Sequence, residues 1–277
     1  MNPVYADTEV MIRSLSPFDA IASSYDRIFT NSRIGLAQRR SVWLEMDLVF
    51  QPGDRVLEIN CGTGTDALHL AERGIQVVGC DSSQEMLTVA RSKLSAFRSP
   101  PLVEFRHLAT ERIGELEKEG PFDGVLSNFG GLNCVKTLRP VVRDLARLTK
   151  PGGKVLLGLF GRCCLWEIAW YLAHGDFAKA FRRFRRRGVP VKLGAPLSFA
   201  VFYRSVRSLR FILSPYFRLV RWKGVGIVVP PSYLESAAAR FPLLLPMAAT
   251  LDSRLSTCPG LRALSDHVLL TLERTDR

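Results

Sequence analysis

The segment Arg55 to Ala67, R-V-L-E-I-N-C-G-T-G-T-D-A, constrains this chain more than any other. Val56-Leu57-Glu58-Ile59 reads as a short buried strand, and it breaks into a turn that holds Gly62 and Gly64. From Asp66 to Glu72 the apolar residues Ala67, Leu68, Leu70 and Ala71 recur with helical spacing. A strand that passes through a glycine turn into a helix is how a doubly wound fold opens a nucleotide site. Glycine lets backbone approach a ligand closely and reach φ > 0, and the helix start offers unpaired N–H groups to an anion. A second strand, Gln76 to Cys80, ends on Asp81, about twenty residues after the turn, where an acid can hold a ribose hydroxyl pair.

Three further patterns accompany it: Glu58-x-Asn60-x-Gly62-x-Gly64, Val77-Val78-Gly79-Cys80-Asp81 and Lys150-Pro151-Gly152-Gly153-Lys154-Val155-Leu156. Together they resemble the class I S-adenosylmethionine-dependent methyltransferases of the small-molecule type, over roughly Phe18 to Phe160. The first glycine of that family's acid-x-Gly-x-Gly-x-Gly motif is Asn60 here. Asparagine is the non-glycine residue that best tolerates the left-handed region, so a positive φ is expected at Asn60. Gly62-x-Gly64-x-x-Ala67 also fits a dinucleotide fingerprint, which would make the chain an NAD(P)-dependent oxidoreductase. Against that, Gly62 lies several residues beyond the strand, Glu58 sits within its end, and the Pro-Gly-Gly turn precedes a late strand.

The resemblance implies S-adenosyl-L-methionine as cofactor and supplies a candidate site. Glu58, Asn60, Gly62 and Gly64 form the turn, Asp81 clamps the ribose, and Ser82 follows as N-cap of a Ser82-Ser83-Gln84-Glu85 capping box. Met86 packs either on adenine or in the core. Phe18 to Asp26 resembles the segment that precedes the family's nucleotide domain; Tyr25 there either covers the methionine end of the cofactor or packs as a helix residue. The family's Gly-Asp-Ala after the third strand is His107-Leu108-Ala109 in this chain, so adenine is expected against apolar contacts and amides at Leu108 and Ala109. Asn128, in the loop Asn128-Phe129-Gly130-Gly131-Leu132-Asn133, follows the fourth strand and is expected beside the reacting methyl.

With 277 residues and 47% hydrophobic content, the chain can build one large domain with a sizeable core. Its six cysteines form no C-x-x-C pair, and no metal site is expected. Met1 to Arg13 has no apolar core of signal length, and no apolar run approaches a membrane span, so a cytoplasmic protein is expected. The formal charge of +12 leaves two readings, an arginine-rich solvated surface or contact with an anionic partner.

The expected architecture is an α/β, Rossmann-like, seven-stranded and mostly parallel sheet with an antiparallel last strand. Residues 1–50 supply an N-terminal arm (1–16) and cap helices, 51–162 the cofactor-binding core, 163–212 a helical lid inserted between strands five and six, and 213–277 the end of the sheet. In the lid, Phe177, Phe181 and Phe184 recur at helical spacing among Lys179, Arg182, Arg183, Arg185, Arg186 and Arg187. The favoured expectation is that the phenylalanines roof the acceptor pocket and the arginines face water; the alternative turns the stripe toward a membrane. Glu167, His174 and Tyr203 are the lid residues that could take a proton. The function expected is methyl transfer to a small apolar or amphipathic acceptor. The alternatives are a nucleic-acid methyltransferase, disfavoured because the base-acting Asn/Asp-Pro-Pro-aromatic signature is absent, and a membrane-peripheral lipid-modifying enzyme with weak contact through the basic lid.

Overall fold

The computed structural model describes residues 16–95, 102–193 and 198–276. The expected arm, apart from Ser16, and the Pro100-Pro101 loop lie outside these residues. Helix α1 (Arg33–Val49) precedes β1 (Arg55–Ile59), α2 (Thr65–Glu72), β2 (Gln76–Asp81), α3 (Gln84–Leu94), β3 (Val103–His107) and β4 (Phe122–Ser127). Then come α4 (Leu138–Leu148), β5 (Thr149–Phe160), α5 (Leu165–Ala173), β6 (Val189–Lys192), β7 (Ser198–Val201), α6 (Val206–Leu213), β8 (Phe217–Val225), α7 (Leu244–Leu255) and β9 (His267–Arg274).

Seven strands form one sheet in the order β3-β2-β1-β4-β5-β9-β8. The pairs from β3 to β5 are parallel, and β9 runs antiparallel to both β5 and β8. The expected sheet, with its reversed final strand, is therefore present. Apolar residues alternate between its faces. Leu57, Ile59, Val155, Leu157, Leu270 and Leu272 pack in the cluster that holds α4 and α6. Val56, Leu156 and Leu269 pack in the cluster that holds Val42 and Met46 of α1 and Ala67 and Leu70 of α2. Each such side chain, fully buried, contributes about 1.5–3 kcal/mol.

The insertion after β5 is not wholly helical. It contains α5, a one-turn helix Phe177–Ala180, a short 3₁₀ turn Arg182–Phe184, and the antiparallel pair β6–β7. Asn133 ties this pair to the sheet: its Oδ1 accepts from Phe160 N at 2.9 Å and its Nδ2 donates to Phe202 O at 2.9 Å. The expected phenylalanine roof is absent, because Phe177, Phe181 and Phe184 are exposed, at 68%, 48% and 41%. Two things overturn it. The helix stops at Ala180, so helical spacing no longer puts the three rings on one buried face. The buried Glu167 also needs cations, and it draws Arg182 and Arg183 inward.

The capping residue of α3 is Ser83 rather than Ser82: Ser83 Oγ accepts from Met86 N at 3.1 Å. Asp81 claims the intervening residue for a turn, since its Oδ1 accepts from Ser83 N at 2.8 Å. Asn60 has φ of 58°, as its place in the motif predicts. Asn60→Gly and Asn60→Val lose the same side-chain bonds, to Thr110 and from Ser127. Their difference therefore isolates the backbone, and a valine held in the left-handed region costs about 1–3 kcal/mol. Urea denaturation should find the valine variant clearly less stable than the glycine variant; equal stabilities would mean that φ at Asn60 is relaxed in solution.

Candidate active site

The carboxyl ends of the parallel strands border a cavity of about 450 Å³. One side of its wall is the turn after β1. Gly62 (φ 54°) and Gly64 (φ 70°) both adopt positive φ there. A Cβ on Gly64 would stand 2.5 Å from the Phe105 ring, so only glycine fits between this turn and β3. Asp81, at the end of β2, accepts from Gly62 N at 2.8 Å as well as from Ser83 N. One carboxylate thus joins the two loops that a ligand would lie across. Burial pushes its pKa up despite these amide donors.

Glu58 faces the same cavity and is buried. Its Oε2 has no hydrogen-bond partner. Burial, with Asp66 adding to it, holds this carboxyl well above the usual range. Beside it lies a compensated pair. Arg39 of α1 meets Asp66 of α2 at 2.5 Å, and the same carboxylate accepts from Trp43 Nε1 at 2.7 Å and Asn128 Nδ2 at 2.9 Å. Burial alone would raise the Asp66 pKa, but Arg39 and these donors outweigh it and hold the carboxylate low. Arg39 also lies 4.5 Å over the Phe129 ring.

The N-terminal segment closes over the glycine turn. Asp26 accepts from Thr63 Oγ at 2.7 Å and pairs with Lys93 at 2.7 Å, while Asp19 accepts from Ser83 Oγ at 2.5 Å. This holds Phe18, Tyr25 and Phe29 against the cavity. Burial pushes the Tyr25 pKa up to about 12, so it stays a neutral phenol.

The far side is built by the insertion and the start of β9. Val191, Phe199, Val201, Tyr203 and Tyr233 line it, with Phe160 and His267. A buried guanidinium holds this side together. Arg183 meets Glu167 and Asp266 at 2.7 Å each and donates to Gly161 O at 3.1 Å. Burial opposes its charge, but the two carboxylates outweigh burial and raise its pKa well above normal. His267 stacks on Phe160 at 4.6 Å; its Nδ1 lies 3.3 Å from Asp266 Oδ2, and neither ring nitrogen makes a well-formed hydrogen bond among the described residues. Burial, aided by Arg183, lowers its pKa against the pull of Asp266, so the imidazole is neutral.

A family model described as a methyltransferase domain matches residues 56–153. A demethylmenaquinone methyltransferase of Clavibacter sepedonicus is 35% identical over 141 residues, which is 50% of this chain and 55% of that protein. One from Corynebacterium urealyticum is 28% identical over 76% of this chain and 85% of its own length. The chain therefore spans only about half of the first of these relatives. Among solved structures, the CcbJ methyltransferase from Streptomyces caelestis has a TM-score of 0.59 at 16% identity, covering 95% of this chain and 99% of that one. An S-adenosylmethionine dependent methyltransferase from Mesorhizobium loti has a TM-score of 0.53 at 16% identity, covering 88% and 99%. At such identities the likeness is one of fold. Residues 56–153 match a methyltransferase domain, and the fold around them is the one shared with S-adenosylmethionine-dependent methyltransferases.

In this methyltransferase domain and its N-terminal cover, the cavity gathers Tyr25, Glu58, Asn60, Gly62, Asp81, Ser82, Met86 and Asn128. Gly64, Leu108 and Ala109 stand outside the wall. Gly64 faces Phe105, Leu108 is buried in the sheet's core, and Ala109 precedes a 3₁₀ turn. Of the lid candidates for proton transfer, Glu167 is consumed by its arginines and His174 is exposed, away from the wall; Tyr203 lines it. Arg39, Asp66, Arg183 and His267 line it too, without having been expected there. A signal for His267 exists in the reversed last strand. Where β9 runs antiparallel to β5, its first residue pairs with the last residue of β5, Phe160, at the ligand edge.

As a carboxylate, Asp81 can accept hydroxyl donors from a bound nucleoside, each charge-assisted bond contributing about 1.5–3 kcal/mol. Asp81→Ala should weaken S-adenosylhomocysteine binding at least about tenfold in calorimetry, with the fold kept. Because burial raises its pKa, wild-type affinity should fall as pH drops, beginning at a higher pH than for an exposed aspartate. An alanine variant with unchanged affinity would mean that the ligand bypasses Asp81.

Proposed function

We propose that this protein transfers the methyl group of S-adenosylmethionine to a small, apolar, aromatic acceptor of the phenol or quinol class. The observation that carries the reading is one continuous cavity with two chemically different ends. One end has the carboxylates of Glu58 and Asp81 beside the glycine turn; the other is lined by Phe160, Val191, Phe199, Val201, Tyr203 and Tyr233.

The cofactor brings an ammonium, a sulfonium and a ribose diol, all of them cationic or hydrogen-bond donors. An unpartnered Glu58 oxygen and a doubly accepting Asp81 suit that set. When bound, the cofactor supplies an electrophilic methyl and a neutral thioether as leaving group. What remains for the chain is alignment of the acceptor, and approximation of this kind can lower a barrier by several kcal/mol. Gly62 lets the backbone approach, Asp81 orients the ribose, and Met86 offers an apolar surface to the base. Phe18, Tyr25 and Phe29 exclude water from above. Asn128 is fixed by Asp66 at 2.9 Å and by its own Oδ1, which accepts from Phe129 N at 2.8 Å. Its loop is thereby rigid where the two ends of the cavity meet.

The acceptor class rests on the apolar far end, and the relatives' names add support: demethylmenaquinone is a quinone. His267, Tyr203 and Tyr233 are polar groups at that end with no charge of their own to be satisfied first. An acceptor that must lose a proton would find a neutral imidazole there. The apolar far end suits an acceptor of low water solubility.

The test pairs calorimetry with label transfer. S-adenosylhomocysteine should bind while NAD and NADP do not. Labelled methyl from S-adenosylmethionine should appear in naphthols or quinols and not in oligonucleotides. Binding of a nicotinamide dinucleotide without binding of S-adenosylhomocysteine would defeat the whole reading. Label found in RNA alone would defeat the acceptor class.

A further inference from the structure

The insertion and α7 carry an exposed surface that a water-facing domain has no need of. On the insertion, Trp166, Trp170, Phe177, Phe181 and Phe184 are exposed. On α7 and its approach the series continues through Phe241, Leu243 (80%), Leu244, Met247 (67%) and Leu251. Residues 241–251 contain no charged residue. The helix is two-sided: Leu245, Ala248 and Ala249 pack on Val229, Leu234 and Ile34, while Leu244, Met247 and Leu251, spaced i, i+3 and i+7, face outward.

The two patches border the same strap of chain, residues 228–234. Trp166 Nε1 donates to Val228 O at 3.0 Å, and the rings of Tyr171 and Tyr233 lie 6.1 Å apart. The inner face of α7 packs on Val229 and Leu234 of that strap. Asp252 fixes the strap's start, accepting from Gly226, Ile227 and Val228 N at 3.0, 2.6 and 2.7 Å. Pro231, Ser232 and Tyr233 of the strap also line the cavity, as do Glu167 and Arg182 beneath the insertion. The exposed rings thus stand on the outside of the elements that wall the cavity's apolar end.

Charge decides what kind of surface would cover them. From Phe177 to Leu193 there is no acidic residue, whereas Arg185, Arg186 and Arg187 are all exposed beside the phenylalanines; Lys179, also exposed, pairs with Asp176 at 2.9 Å. Arg240 and Arg254 are exposed at the two ends of the α7 patch. Aromatic rings interleaved with arginines, next to an amphipathic helix whose outward residues Leu244, Met247 and Leu251 are apolar, match an anionic lipid interface: rings and Leu/Met side chains enter the headgroup boundary while guanidinium groups meet phosphates. A protein partner would have to offer an apolar face rimmed with acid along both patches. A nucleic acid would leave Leu243, Leu244 and Met247 uncovered.

We propose that the face formed by residues 165–187 and 241–254 docks on an anionic bilayer, with the strap 228–234 between the two patches at the membrane. The cavity's apolar end would then adjoin the lipid. This inference goes beyond the activity proposed above and stands on the surface alone.

Co-sedimentation of the full chain with phosphatidylcholine vesicles, with and without phosphatidylglycerol, tests it. Wild type should bind the phosphatidylglycerol vesicles, weaken with salt, and bind phosphatidylcholine alone far less. Each basic residue near such a surface contributes about fivefold, so R185Q/R186Q/R187Q should lose on the order of a hundredfold in affinity. L244S/M247S should lose the part of binding that survives high salt. Arg182 and Arg183 are left alone because they hold Glu167. Fluorescence of Trp166 and Trp170 should shift to the blue on binding and be quenched by brominated lipid. Wild type that ignores phosphatidylglycerol vesicles overturns the proposal, as does binding undiminished in both variants. Concentration-dependent dimers abolished by L244S/M247S, without vesicle binding, would make a second copy of the chain the occupant and overturn it too. S-adenosylhomocysteine affinity, measured on the same samples, reports on the cofactor reading separately, and its retention shows that the variants fold.

Discussion

An ion taken out of water must be met by an opposite one, or it will not stay ionised. The cavity of this protein is arranged around that requirement. Arg39 and Asp66, both almost fully buried, meet at 2.5 Å between α1 and α2. Arg183 joins Glu167 and Asp266, and so ties the insertion to the ends of β5 and β9. Replacing one partner in such a group typically costs 3–5 kcal/mol because it strands the others. Each cluster therefore fixes one side of the cavity. Glu58 has no such partner, and unlike Asp81 its Oε2 has no amide donor either. Burial favours its protonated form. A cationic ligand entering there would supply the opposite charge that the chain withholds.

The sheet was legible because its signals are local. Short apolar runs define β1, β5 and β9, and each strand's two faces pack in different clusters. The Asn60 backbone was legible for a steric reason: where glycine is displaced from a left-handed turn, asparagine is the residue that can follow it. The capping of α3 was misplaced by one residue, because the Asp81 carboxylate draws Ser83 N into a turn and so keeps Ser82 ahead of the helix start.

The insertion was read poorly, and the reason is also physical. Helical spacing of Phe177, Phe181 and Phe184 invites burial only if one continuous helix carries them, and the helix ends at Ala180. An arginine run reads as solvated surface, yet Arg183 is only 4% exposed because Glu167 and Asp266 are themselves buried and need it. Those carboxylates lie 16 and 83 positions away in sequence, so no local pattern announces them. His267 was hidden for a related reason. Its place at the ligand edge follows from the reversal of β9, and so from topology rather than from its neighbours.

The exposed rings follow from the same inward turn of the arginines. A segment as short as Phe177–Phe184 can bury only one kind of side chain. With Glu167 and Asp266 beneath it, burying the phenylalanines instead would leave two carboxylates uncompensated in the wall, a cost of several kcal/mol per ion. Exposing three rings forgoes only about 1.5–3 kcal/mol each. Electrostatics therefore sets the orientation of the insertion, and the aromatic side is left facing outward over the cavity's apolar end. The need to neutralise charge inside the site is thus also what produces the unpartnered apolar surface outside it.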